Sequence, residues 1–247
     1  MTMLSRLTAV EAKLFLRDPA APVTVLGIPV ALLLVFGLMP GMNQPSEDFG
    51  GQVPLSAFIA PLSVAILIGM LGLTLFPVVM ATHREKGVLR RLAASPVPPS
   101  RLLVAQLLVN LGAALVVVLV IVVGGHLALG FALPANAGGF VLTLALGVLA
   151  LFGVGLLIAA LAPTGRTASG VGAALFFPML ALGGVWVPKE DLPAVLQDVA
   201  DVLPLGATLN ALRAAWTGGW PQPLQLISMA VFALVCAGVA ARVFRWN

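Results

Sequence analysis

Six long stretches of this sequence contain no Asp, Glu, Lys or Arg. They are residues 23–39, 55–81, 102–127, 140–161, 168–187 and 224–241. An α-helix rises about 1.5 Å per residue, so it needs roughly 20 apolar residues to cross the hydrocarbon core of a bilayer, which is about 30 Å thick. The sequence therefore predicts an all-α integral membrane protein with six transmembrane helices.

The composition supports this fold class and excludes others. Hydrophobic residues make up 60% of the 247-residue chain and charged residues only 9%, whereas a soluble domain usually has about 25% charged residues. The charges lie outside the six stretches, so the net charge of +4 describes loops and does not indicate nucleic-acid binding. The one cysteine, Cys236, excludes a disulfide framework. We expect residues 1–247 to form a single transmembrane domain.

The charges divide unevenly between the two sides that six spans define. One side carries eleven cations, Arg6, Lys13, Arg17, Arg84, Lys86, Arg90, Arg91, Arg101, Arg166, Arg242 and Arg245, and three anions, Glu11, Asp18 and Glu85. The other side carries two cations, Lys189 and Arg213, and six anions, Glu47, Asp48, Glu190, Asp191, Asp198 and Asp201. Cytoplasmic loops are enriched in Lys and Arg, so both termini are predicted to be cytoplasmic.

Residues 1–19 have the pattern of an amphipathic helix. Apolar residues recur at helical spacing and cations occupy another face: Met3, Leu7, Val10 and Leu14 against Arg6, Lys13 and Arg17. This pattern predicts an interfacial helix on the cytoplasmic leaflet that ends at Asp18-Pro19. A frayed tail is the alternative.

Residues 188–220 are too charged to cross a membrane and too apolar for a simple loop. We expect a helical hairpin that enters the outer leaflet between the fifth and sixth spans. Irregular backbone is tolerated there only where protein or water satisfies its polar groups.

Chemistry that would give the chain its own energy source or active site is missing from the sequence. An ion-coupled carrier normally needs ionisable groups at membrane depth, and the six stretches contain no Asp, Glu, Lys or Arg. Ser169 and His126 are predicted on opposite sides of the bilayer, which excludes a serine-protease pair. No residue spacing indicates a metal site, and no G-x-x-x-x-G-K-[ST] phosphate loop occurs. An ion-coupled secondary carrier or channel remains the alternative function.

The first cytoplasmic loop, residues 84–95, combines apolar and basic residues. If 88–94 form a short helix, Val88, Leu89 and Leu92 share one side, with Arg90 and Arg91 beside them. An apolar surface flanked by cations is suited to docking into a groove of a cytoplasmic partner. The alternative is that Arg90 and Arg91 only bind anionic lipid and set the topology.

Several motifs occur in an order that resembles the permease subunits of type 2 ATP-binding-cassette exporters, the class that includes daunorubicin-resistance-type pumps. The motifs are Leu16-Arg17-Asp18-Pro19, the loop from Arg84 to Leu92 closing with Ser95-Pro96, and the segment from Gly183 through Pro188 and Leu203-Pro204-Leu205 to Arg213. The resemblance covers nearly the whole chain. The outer loop 41–52 is too short for the large extracellular domain of some such permeases.

The resemblance implies a mechanism that depends on partners. This chain would pair with a second permease, as a homodimer, and dock two nucleotide-binding ATPase subunits in a bacterial plasma membrane. ATP and Mg would bind the partner subunits, and no cofactor would bind this chain. The ATPase-coupling residues would be Arg84, Glu85, Lys86, Gly87, Val88, Leu89, Arg90, Arg91 and Leu92.

The translocation pathway is expected to be apolar, because the spans offer nothing charged. An amphiphilic drug, a lipid or a lipid-linked glycan fits such a pathway. The candidates on the second and fifth spans are Thr74, Phe76, Phe176, Phe177 and Met179. Pro61 and Pro77 are expected to break or kink the second span and Pro178 the fifth, which could help these helices move.

Overall fold

The computed structural model describes residues 3–17, 20–88, 100–185 and 192–243. These residues are predominantly helical and include no β-strand, which confirms the all-α fold class. The helices in the described ranges are α1 (Met3–Arg17), α2 (Ala20–Gly37), α3 (Leu55–Glu85), α4 (Arg101–Leu129), α5 (Ala137–Leu161), α6 (Gly165–Leu182), α7 (Ala194–Val202), α8 (Pro204–Trp216) and α9 (Pro223–Val243).

Four helices, α3, α4, α5 and α9, are long and apolar enough to span a membrane by length and composition. Helices α2 and α6 coincide with the two remaining charge-free stretches, so each of the six stretches is largely helical in the described residues. The total of six spans stays a prediction. Helix α6 begins at Gly165, three residues earlier than predicted, because the Thr164 hydroxyl accepts a hydrogen bond from the Thr167 N–H and caps the helix there.

Helix α3 lies at the centre of the helical bundle and is the most buried of the four candidate spans. Glycines bring its backbone close to two neighbours. A Cβ atom on Gly155 of α5 would collide with the Gly72 carbonyl of α3, and one on Gly172 of α6 with the Leu73 carbonyl. Small residues at helix contacts allow such close packing in membranes. Helix α3 is thereby held between α5 and α6.

The prolines of α3 do not break the helix, and the alternative that they kink it stays a prediction. A wide π-helical turn, Leu55–Ile59, precedes Pro61, and a second, Met70–Leu75, precedes Pro77. A proline has no N–H to donate, and its ring crowds the preceding turn of the helix. A π-helical turn is wider than an α-helical turn, so it makes room for the ring. Helix α3 continues through both prolines to Glu85, and Pro178 lies inside α6.

At one end of the bundle, α7 and α8 form a pair of helices within the segment 188–220. Helix α8 packs against α5, and its last residue, Trp216, is buried against Phe131 and Phe140. The Trp216 indole N–H donates to the Ala132 carbonyl at 2.8 Å. Two helices are therefore present where a hairpin was predicted, and their depth in the membrane stays a prediction.

A buried carboxylate joins this helix pair to α9. The Asp201 Oδ1 atom accepts hydrogen bonds from the side-chain amides of Asn210 and Gln225, each at 3.0 Å. The Ser228 hydroxyl donates to the Val202 carbonyl. We call this end, which comprises α7, α8 and the α4–α5 connection, the outer end, after the orientation that the sequence predicts.

Candidate functional site

The opposite end of the bundle, which we call the basic end, contains the C-terminus of α3 and the start of α4. Helix α3 ends in a tight turn: the Lys86 N–H donates to the Thr82 carbonyl and the Gly87 N–H to the Arg84 carbonyl, both at 3.0 Å. Gly87 has φ +69°, a left-handed conformation that glycine adopts without strain. Val88 follows and packs, half-buried, against the core. The loop to α4 therefore leaves the bundle from a defined position.

The described residues include only the first part of the predicted coupling element. They include Arg84, Glu85, Lys86, Gly87 and Val88, whereas Leu89, Arg90, Arg91 and Leu92 lie outside the described ranges. The predicted short helix and the apolar surface on it therefore stay predictions.

Arg84 bonds to the end of a different helix. Its Nη1 atom donates to the Ala160 carbonyl at 3.0 Å, and its Nη2 atom donates to the Ala162 carbonyl. These carbonyls lie at the C-terminus of α5, where the last backbone acceptors of a helix have no partner within the helix. A cation also interacts favourably with the negative end of the helix dipole. Arg84 thus caps α5 from α3.

Glu85 bonds to the start of the next helix. Its Oε2 atom accepts a hydrogen bond from the Gly165 N–H, the first residue of α6, at 3.1 Å. An anion at a helix N-terminus is favoured by the helix dipole. Gly165 also sits against Thr82, and a Cβ atom on it would collide with the Thr82 hydroxyl. The end of α3 is thereby joined to both sides of the short α5–α6 turn, residues 162–164.

Helix α1 packs against α4 at the same end. The Gln106 side-chain amide of α4 donates to the Glu11 carboxylate of α1, and Glu11 is buried although Val10 and Leu14 beside it are exposed. Burial raises the pKa of Glu11 above its ordinary value, and the hydrogen bond from Gln106 opposes part of that rise. Because α4 follows the loop directly, this contact anchors the exit of the loop.

The five pathway candidates fall into two groups. Phe76 is almost fully buried against Phe152, and Phe176 and Met179 are also buried in the subunit. The half-buried Thr74 donates its hydroxyl to the Met70 carbonyl of its own helix. Phe177 is 55% exposed on α6 and is the only one of the five whose side chain lies mainly outside the packed interior.

Sequence reasoning missed two features of this site. The first is the partner of Arg84 and Glu85, the α5–α6 turn, and the second is the burial of Glu11. Adjacent side chains of opposite charge at the end of an apolar helix were the available signal for the first. The single anion among the cations of α1 was the signal for the second.

The comparison with protein families assigns the chain. The family described as ABC-2 type transporter matches residues 2–216, most of the sequence, and the chain therefore belongs to this family. It is accordingly a multi-pass membrane protein and a permease subunit of an ATP-binding-cassette exporter, a class that works with an ATPase partner. A comparison with curated proteins finds no match.

Proposed function

We propose that two copies of this chain form the translocation pathway of an ATP-driven exporter, coupled to two separate ATPase subunits through residues 84–92. The observation that carries the proposal is the anchored loop at the basic end. Its entry is fixed by Arg84 and Glu85 to the α5–α6 turn, and its exit is joined to α1 by the Glu11–Gln106 contact. A loop that is held at both ends can transmit a displacement caused by a partner subunit to the helices that it connects.

The proposed orientation places the basic end in the cytoplasm of a bacterial cell, in the plasma membrane. Exposed cations gather at this end, at the ends of four helices: Arg17, Arg101, Arg166 and Arg242. Positive loops remain on the cytoplasmic side during insertion. Both termini are then cytoplasmic, and residues 84–92 face the ATPase subunits, which bind ATP and Mg.

The proposed cargo is an amphiphilic drug, a lipid or a lipid-linked glycan, in keeping with the resemblance to daunorubicin-resistance-type pumps. The exposure of Phe177 on α6 supports a pathway between the two permease copies, with an aromatic ring on its wall. Phe76, Phe176 and Met179 would support that wall from behind, and Thr74 would lie on the neighbouring α3.

Purification from native membranes tests this function. We expect the tagged chain to copurify with an ATPase subunit, and the triple variant Val88→Ser, Leu89→Ser and Leu92→Ser to lose ATP-driven transport in vesicles. Transport of a lipophilic dye by the purified chain without nucleotide, driven by an ion gradient, would instead support an ion-coupled carrier. Unchanged ATP-driven dye export by the triple variant would contradict the coupling role of the loop.

A further inference from the structure

We propose that Arg84 and Glu85 act as an intrachain clamp that transmits displacement of the coupling loop to α6, and that they do not themselves contact the ATPase. This inference rests on the proposed function and assigns these two residues a role different from that of residues 88–92. The clamp consists of Arg84, Glu85 and the backbone groups of Ala160, Ala162 and Gly165.

The charges of the clamp match the helix ends that they meet. Two neighbouring residues of opposite sign, in the last turn of α3, reach two neighbouring helix ends of opposite polarity. The Arg84 cation meets the C-terminal carbonyls of α5, and the Glu85 anion meets the N-terminal N–H of α6. Reversing either charge would place it at a helix end of the same sign. The arrangement therefore holds the α5–α6 turn in one position relative to the start of the loop.

Both side chains of the clamp bond to backbone groups of the same chain. The Arg84 guanidinium, which is half-buried, uses its two terminal nitrogens on two different carbonyls. Because Glu85 is exposed, its bond to Gly165 is the weaker half of the clamp. Arg166, one residue after Gly165, is exposed to solvent and takes no part in the clamp.

Helix α6 is the element that the clamp would move. Gly165 is its first residue, and its contact with Thr82 leaves no room for a side chain. A shift of the α3 terminus therefore displaces the start of α6 directly. Phe177 lies on the same helix, twelve residues further along, so the displacement reaches the proposed pathway wall.

The test uses the full chain with its ATPase subunits in vesicles, in a background with Cys236→Ser and Ser169→Cys. Ser169 is exposed on the first turns of α6, and its cysteine reports accessibility to a membrane-impermeant maleimide. We expect the labelling rate to change on addition of ATP and Mg. Arg84→Ala should retain the ATPase subunit and ATP hydrolysis. The nucleotide-dependent change in its labelling rate should fall by about tenfold, which lies within the usual range of coupling between two sites.

Matched variants separate the clamp from general damage. Arg166→Ala removes an exposed cation from the first turn of α6 and should behave as the parent does. Arg84→Lys should retain part of the response, because an ammonium group keeps the charge but lacks the planar fork that bonds two carbonyls. Glu85→Gln keeps an acceptor for Gly165 without the charge, so its response should fall less than that of Arg84→Ala. If Arg84→Ala does not assemble, Arg84→Lys and Glu85→Gln decide the matter by the same labelling ratio.

The outcomes distinguish the clamp from the proposed function. Loss of the ATPase subunit from Arg84→Lys and Glu85→Gln, with Arg166→Ala unaffected, would make these residues docking contacts and overturn the clamp alone. An unaltered nucleotide response in Arg84→Ala, or none in the parent complex, would also overturn it. Failure of the parent chain to bind any ATPase subunit would instead refute the proposed function.

Discussion

The two ends of the helical bundle are held together by different chemistry. At the outer end, Trp216 is buried against Phe131 and Phe140, and the buried Asp201 accepts hydrogen bonds from neutral amides. At the basic end, directional bonds from charged side chains join one helix terminus to others, with Arg84 as the central residue, beside buried apolar residues such as Met80 and Ala168. Buried aromatic side chains therefore characterise the outer end, and charged hydrogen bonds between helix termini characterise the basic end.

This difference suggests a division of work. Dense aromatic packing resists rearrangement, because each displaced side chain loses many contacts. Charged hydrogen bonds between helix termini fix a position but involve few atoms, so they can carry a displacement without unpacking the bundle. We therefore expect substitutions at the outer end to reduce stability and substitutions at the basic end to reduce coupling.

The largest expected loss of stability is at the outer end. Trp216→Ala removes a buried aromatic side chain and its bond to Ala132, which should lower the free energy of unfolding by about 3–5 kcal/mol. Thermal unfolding of the detergent-solubilised chain measures this change. Trp220→Ala is the control, because Trp220 is 69% exposed and should cost little. Equal losses for the two variants would contradict the packed outer end.

A smaller loss of stability is expected from Arg84→Ala, by about 1–3 kcal/mol, since charge-assisted bonds at a half-buried site are lost. The comparison is sharpened when stability and ATP-driven transport of a lipophilic dye are measured on the same samples. Arg84→Ala should lose more transport per unit of stability than Trp216→Ala does at a temperature where both are folded. The reverse ranking would remove the distinction between the two ends.

At the outer end, Gln225→Ala should lower stability by about 1–2 kcal/mol, because the buried Asp201 carboxylate loses a donor. Coupling of ATP hydrolysis to transport should stay unchanged. Chemical unfolding and the ratio of dye exported to ATP hydrolysed measure the two quantities. Gln222→Ala, which alters an exposed neighbour, is the matched control. A change in the transport ratio for Gln225→Ala alone would show that the outer end also transmits motion.

The smallest effect is expected at Glu11, and it depends on pH. Because burial raises the pKa of Glu11 in the folded state, the folded state binds the proton more tightly than the unfolded state. The resulting stabilisation is present below the ordinary glutamate pKa and is lost as the pH rises through the raised value. Glu11→Gln should remove this loss of stability. Unfolding midpoints of the parent and of the variant, measured between about pH 4 and pH 8, test this expectation. Glu47→Gln, at an exposed outer site, should follow the parent.

The sequence predicts the helices better than it predicts the contacts between them. Long charge-free stretches identify the helices because the bilayer excludes charge, and the expected positions differ from the observed ones by a few residues. The bonds of Arg84 join residues 76 and 78 positions apart, and they exist only because α3 packs between α5 and α6. Pro61 and Pro77 indicated a break or a kink of α3, and the break is absent because π-helical turns before both prolines accommodate them.

The sequence predicted which segment forms the candidate site, but it did not predict the bonds that its residues make within the chain. The pattern around residues 84–92 indicates a docking element, yet it does not separate residues that bond within the chain from residues that remain available to a partner. Arg84 and Glu85 bond within the chain because the ends of α5 and α6 lie beside them, which the sequence pattern does not reveal. The sequence similarly places Asp201 only among the charges outside the apolar stretches. Its side chain is buried because α7, α8 and α9 pack together around it.

We propose above all that the loop after α3 receives the motion of a separate ATPase. Photo-crosslinking from a benzoyl-phenylalanine at position 89, in place of Leu89, tests it most directly in native membranes. We expect an adduct between this chain and the ATPase subunit, and no such adduct from the same probe in place of Trp220 at the outer end. An adduct from position 220 but not from position 89 would contradict the account.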